Sequence, residues 1–142
     1  MKNGPLPDQH HISRYCSPTR CTEDGQVTSA AFRLREGENA LSVNWLEFLS
    51  STDRDTQIQE IRKVLASKMN KIGANAKIAA LNIGQMRDYV RTHSPDSRNL
   101  PVLHDPLVDD PSHSGIYNLR EDDDLIATLI AEVVQETYSA RA

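Results

Sequence analysis

The stretch DQHHISRYCSPTRC, Asp8 to Cys21, places two histidines, two arginines and both cysteines of the chain within fourteen residues. His10, His11, Cys16 and Cys21 are imidazole and thiol groups of the kind that ligate zinc. The Cys-x4-Cys spacing is wide for a zinc knuckle, no second pair completes the motif, and Pro18 falls inside the loop that the metal would close. Inert thiols beside a turn are the simpler account. The triplet Asp105, Asp109 and Asp110 offers carboxylate oxygens to Mg²⁺ or Ca²⁺, but its spacing matches no calcium loop, and solvated turn aspartates are the simpler account.

Acid–base chemistry is the second possibility. His113 lies in DPSHSG between Ser112 and Ser114, and His104 precedes Asp105. If the N-terminal segment crosses the sheet near residues 104–115, then His11, Arg14 and His113 line one cleft. One imidazole would act as base, the other as acid, and the arginine would hold an anion. That trio suits hydrolysis or transfer on a phosphorylated or nucleotide-like substrate. Each residue also has a plain structural role. Pro111 presets φ, Ser112 and Ser114 can bond nearby backbone, and Gly115 lets the chain enter a strand. Arg14 beside Tyr15 is equally suited to a structural ion pair.

The chain contains no G-x-G-x-x-G, G-x-x-x-x-G-K-[ST], H-E-x-x-H or G-x-S-x-G. Dinucleotide, P-loop, zincin and hydrolase-elbow chemistries therefore lack their usual markers, and no cofactor is expected.

The elements that must position these residues are read from periodicity. Three prolines and no sustained period make residues 1–27 largely irregular, with a turn at TEDGQ, Thr22 to Gln26. In TSAAFRLREGENALSV, Ala30, Phe32 and Leu34 alternate with polar positions, EGEN turns the chain, and Leu41 and Val43 resume the alternation. A β-hairpin is expected there. Asn44 followed by Glu47 resembles a capping box opening a short helix in WLEFLSS, and a strand continuing through Trp45 is the competing reading.

Ile58, Ile61, Leu65, Met69 and Ile72 recur at steps of three and four, predicting a helix from about Asp55 to Ile72, capped by Thr52 or Asp53 and stopped by Gly73. Its outer face, with Arg62, Lys63, Lys68 and Lys71, is mostly cationic. AKIAALNIG is then a buried strand completing a β-α-β unit, and QMRDYVRTH a short helix. Val102 to Leu103 and His113 to Leu119 read as strands around an acidic, proline-rich turn. A last helix is expected from Asp122 to Tyr138, with Leu125, Ile126, Leu129, Ile130, Val133 and Val134 as its stripe.

At 142 residues the chain fits one domain, residues 1–142, of class α+β: a small, mostly antiparallel sheet with two main helices packed on it. The net charge of −4 conceals an asymmetry: residues 1–91 hold 13 Lys/Arg against 10 Asp/Glu (+3), residues 92–142 hold 3 against 10 (−7). So small a basic surplus does not favour nucleic acid as a partner. No apolar run is long enough to span a membrane, and MKNGPLPDQHH has no apolar core of a signal peptide, so no membrane is expected. Two cysteines form no secreted disulfide framework, which points to a cytoplasmic protein with reduced thiols.

Without a complete catalytic motif, the leading expectation is a non-catalytic binding or accessory protein working through a protein partner or as a homo-oligomer. Its contact surface is expected as an exposed apolar patch around Trp45 and Phe48 or on the last helix. The second expectation is the hydrolase or transferase that uses His11, Arg14 and His113.

Overall fold

The computed structural model describes residues 4–50 and 53–141. Six strands form one sheet: β1 (His11–Cys16), β2 (Leu41–Trp45), β3 (Lys77–Asn82), β4 (Val102–His104), β5 (His113–Ile116) and β6 (Glu136–Ser139). Their order is β4-β5-β2-β1-β3-β6, and every neighbouring pair is antiparallel. Four α-helices accompany it: α1 (Leu46–Leu49), α2 (Arg54–Lys68), α3 (Ile83–His93) and α4 (Asp124–Glu132). The α+β class is as expected, with α3 joining α2 and α4 as a third full helix.

Strand alternation sorts the side chains into two cores, one on each face of the sheet. On one face, Ile58 and Ile61 of α2 and Leu46 of α1 pack on Ile78 and Ala80. On the other, Ile12, Val43, Leu41, Leu81 and Ile116 meet Ile83, Met86 and Val90 of α3 and Ile126 and Ile130 of α4. The strand β3 serves both cores, which is why KIAALN reads as a continuous apolar run with four consecutive buried residues.

The first departure from expectation is β1. HISRYC is one of the two central strands of the sheet, with four buried residues, where irregular chain is expected. Its polar letters hide it: Ser13 and Arg14 are buried alongside Ile12 and Cys16. Because β1 inserts between β2 and β3, the expected β-α-β unit is split, with its two parallel strands on either side of an antiparallel one. The expected hairpin also fails. Both edges of β2 are taken by β1 and β5, so Ser29–Phe32 has no free edge to pair with and becomes a 3-10 turn that buries Ala31 and Phe32 beside α4.

Two helix ends differ as well. The helix α2 stops at Lys68 rather than Ile72; Asp53 caps its start, accepting from Asp55 N and Thr56 Oγ1, while Thr52 lies outside the described residues. The helix α4 stops at Glu132, and the β-formers in ETYS pair along β3 as β6 instead of continuing to Tyr138. Leu125 is exposed rather than part of the buried stripe. At Asn44 both competing readings hold in part: β2 runs through Trp45 and α1 begins at Leu46.

The N-terminal segment folds back across the sheet. Leu6 N donates to Val102 O and His104 N to Gly4 O, so residues 4–6 flank β4; the chain then crosses to the start of β1. Where it crosses, Gly84 N donates to Asp8 O, and a Cβ on Gly84 would stand 2.9 Å from Asp8 Cβ and 3.0 Å from its carbonyl oxygen. Glycine is required by that approach. Among the described residues, no helix is long and apolar enough to cross a membrane.

Candidate functional site

Antiparallel order brings the starts of β1 and β5 and the ends of β2, β3 and β4 to one end of the sheet. Four of the five histidines lie there: His10, His11, His104 and His113. His93, at the end of α3, is the exception.

His11 is held by Glu47 of α1. Its backbone N–H donates to Glu47 Oε1 at 2.7 Å and its ring Nδ1 to Oε2 at 2.6 Å, so the carboxylate fixes both chain and imidazole. That leaves Nε2 as the remaining proton-exchanging atom. Glu47 does not act in the expected capping box, and α1 has no side-chain cap at its start.

His113 is held differently. Nδ1 lies 2.8 Å from Asp105 O, and a carbonyl can only accept, so Nδ1 carries the proton. In the neutral ring Nε2 is therefore the acceptor, and Ser42 Oγ lies 3.1 Å from it. Ser42 is exposed on β2, opposite Gly115 in the register, and both line a cavity of about 340 Å³ with Glu38, Asn39, Asp105 and Tyr117. A hydroxyl donating to an oriented imidazole is the elementary arrangement of an activated nucleophile.

Arg14 is not with them. It alternates to the opposite face of the sheet, where Nε donates to Ala31 O and Nη1 to Ser42 O, each at 2.8 Å. Burial, and then Arg20, lower its pKa to about 10, which still leaves it a cation at neutral pH. Its role is to satisfy two backbone carbonyls under the sheet. His11 and His113 share a face, but β2 separates their strands and the register offsets them by two residues, about 12 Å between backbones. The single cleft expected for His11, Arg14 and His113 is not formed.

The zinc quartet is likewise spread out. His11 and Cys16 occupy opposite ends of a six-residue strand, about 17 Å apart along it. Cys16 is buried with its thiol on Arg14 O, and Cys21 Sγ is directed at Ser17 O. Burial, and then Cys21, push the Cys16 thiol up to about 12; burial also raises that of Cys21. Both effects oppose the thiolate that a metal needs. Among the described residues, no group of three or more His, Cys, Asp or Glu is placed to hold a metal ion.

Periodicity gave no hint of the polar and aromatic contacts around β2. Asp110 is buried, and its carboxylate receives Asn44 Nδ2 at 2.8 Å, Ser112 Oγ at 3.3 Å and Lys68 Nζ at 2.9 Å. Leu107 and Asp110 exchange two backbone hydrogen bonds at 3.1 Å, closing a tight turn. Beside it Trp45 Nε1 donates to His10 Nδ1 at 2.9 Å, and the rings of Trp45 and Phe48 each stand 5.1 Å from His104, whose Nε2 lies 2.8 Å from Pro111 O. Since indole can only donate, His10 Nδ1 is unprotonated.

Comparison with protein-family models, curated proteins and solved structures gives no match.

Proposed function

We propose that this chain is a binding protein that docks on a protein partner through the sheet end just described. The observation that carries this reading is the turn 107–110. Leu107 is 42% exposed, Val108 is fully exposed, and Phe48, 46% exposed, lies on the same sheet end beside His104. Loop tips that are apolar and solvated are usually mobile, but this one is tied down by the Asp110 carboxylate and its three partners. A tip already ordered loses little conformational entropy on docking, so its apolar contact is retained as affinity. Asp105 and Asp109 flank the tip, which suits a partner whose apolar pocket is rimmed by cations. A reducing, cytoplasmic setting accommodates the two free thiols.

The experiment is a photo-crosslinking residue at position 108, with one at the exposed helical position Thr128 as reference. The partner identified at 108 is then purified, and Val108→Asp is expected to weaken its binding by about tenfold or more. Equal crosslinking at 108 and 128 counts against the docking tip. Sedimentation distinguishes a second copy of this chain from another protein.

One specific contact favours a second reading, a hydrolase. Ser42 Oγ, His113 Nε2 and the Asp105 carbonyl form a nucleophile, a base and an orienting group inside one cavity. On this reading a serine acts where the second imidazole was expected to act. Among the described residues Glu38 and Asp105 line the cavity and no Lys or Arg does, so a neutral or cationic ester fits it better than a phosphoester. Covalent labelling of Ser42 by an activated acyl ester, abolished by His113→Gln, is the expected sign. Labelling that is equal in Ser42→Ala contradicts it.

A further inference from the structure

A cavity of the molecule lies away from the histidines. It opens between the second half of α2, residues 70–72 and the chain at Ala140 and Arg141, with a volume of about 670 Å³. Among the described residues four cations line it, Arg62, Lys63, Lys71 and Arg141, and no carboxylate does. In a chain of net charge −4 this is a local reversal of sign. Lys63 is partly neutralised by Glu60 at 3.2 Å, and Arg62 uses Nε to bond Ser139 O, which fixes its guanidinium at the rim. Lys71 and Arg141 have no ion-pair partner among the described residues.

The rest of the lining is of another kind. Ala66, Met69, Ile72 and Ala140 supply an apolar floor, and Gln59 and Asn70 supply amides that both donate and accept. A ligand matched to all three features has an anionic group, a flat or aliphatic body and polar edges. Its size falls in the range of small-molecule sites, about 300–1,000 Å³.

We propose that this cleft binds a nucleoside monophosphate, with the phosphate between Arg62, Lys71 and Arg141, the base against Met69 and Ile72, and the amides of Gln59 and Asn70 at its edge. Arginine suits the phosphate because its fork can donate two bonds at once. Methionine suits the base because its thioether adapts to an aromatic face. The site is separate from the docking tip and does not depend on it.

The test is titration of the ¹⁵N-labelled full chain with AMP, and separately with inorganic phosphate and with a single-stranded oligoadenylate. The expected result is that AMP shifts amide signals of residues 59–72 and 140–141 and binds about tenfold or more tightly than phosphate. Lys71→Glu and Arg141→Glu, at side chains with no hydrogen bond or ion pair among the described residues, should each weaken AMP about tenfold, while Arg91→Glu on α3 should not. The proposal is overturned by AMP binding no tighter than phosphate, by shifts outside the cleft, or by equal losses in all three variants. Oligoadenylate binding more than tenfold tighter than AMP overturns it in favour of nucleic acid.

Discussion

Lys68 and Asp110, 42 residues apart in sequence, meet at 2.9 Å between Nζ and Oδ2 and join the end of α2 to the turn before β5. The aspartate is almost wholly buried, with a side-chain exposure of 3%, while the lysine keeps 30% of its side chain in water. The anion is thus the partner that depends on the contact. Removing it by Asp110→Ala takes from the Asn44 amide one of its two acceptors, leaving Ser112 Oγ, and releases the turn. A loss of about 2–4 kcal/mol in unfolding free energy is expected from denaturant titration. Lys68→Ala should cost less, since Asn44 and Ser112 still hold the carboxylate.

The crossing of the N-terminal segment gives a second expectation. Gly84→Ala drives a methyl into the backbone of Asp8, which cannot yield without moving the link between residues 4–6 and β1. About 1–3 kcal/mol of destabilisation follows. The displacement should also reach His10, so the fluorescence of Trp45, the one tryptophan, should shift with it.

The cysteines should separate by reactivity. Cys21 is half-buried and should be alkylated in the native protein, whereas buried Cys16 should react only on unfolding. Burial raises the folded pKa of Cys16 from 9.0 to about 12, so its contribution to stability is complete below pH 9 and is lost as pH rises towards 12. The denaturation midpoint should therefore fall between pH 9 and pH 11, and fall less in Cys16→Ala. A flat midpoint across that range contradicts the assignment.

Glu47 carries a third structural expectation. Its carboxylate is the acceptor for both the backbone and the ring of His11, so Glu47→Ala leaves two donors unpaired at the start of β1. About 1–3 kcal/mol is the expected cost, and Glu47→Gln should recover part of it, since the amide oxygen can still accept one of the two bonds.

Sequence periodicity predicted the elements with a clean apolar stripe or run: the start and body of α2, β3 and the first two turns of α4 agree closely. It failed where a polar residue is buried by partners distant in the chain. In β1 the burial of Arg14 depends on the carbonyls of Ala31 and Ser42, which no local pattern reveals. The end of α4 failed for a related reason: ETYS pairs along the free edge of β3, a partner distant in the chain that no local pattern reveals. At the site, His113 in its serine-flanked turn was visible as a candidate, but its partner Ser42 lies 71 residues away and carried no signal of its own. Glu47 had a signal, three residues after Asn44, that fitted a different role.

The docking reading stands on Leu107 and Val108 being held in place before any partner arrives, and backbone ¹⁵N relaxation of the free protein measures that directly. Restraint by Asp110 predicts order parameters near 0.85 at both amides, like those of β4 and β5, falling on Asp110→Ala. Values below about 0.6 in the wild type would show a floppy tip with no preformed surface to offer.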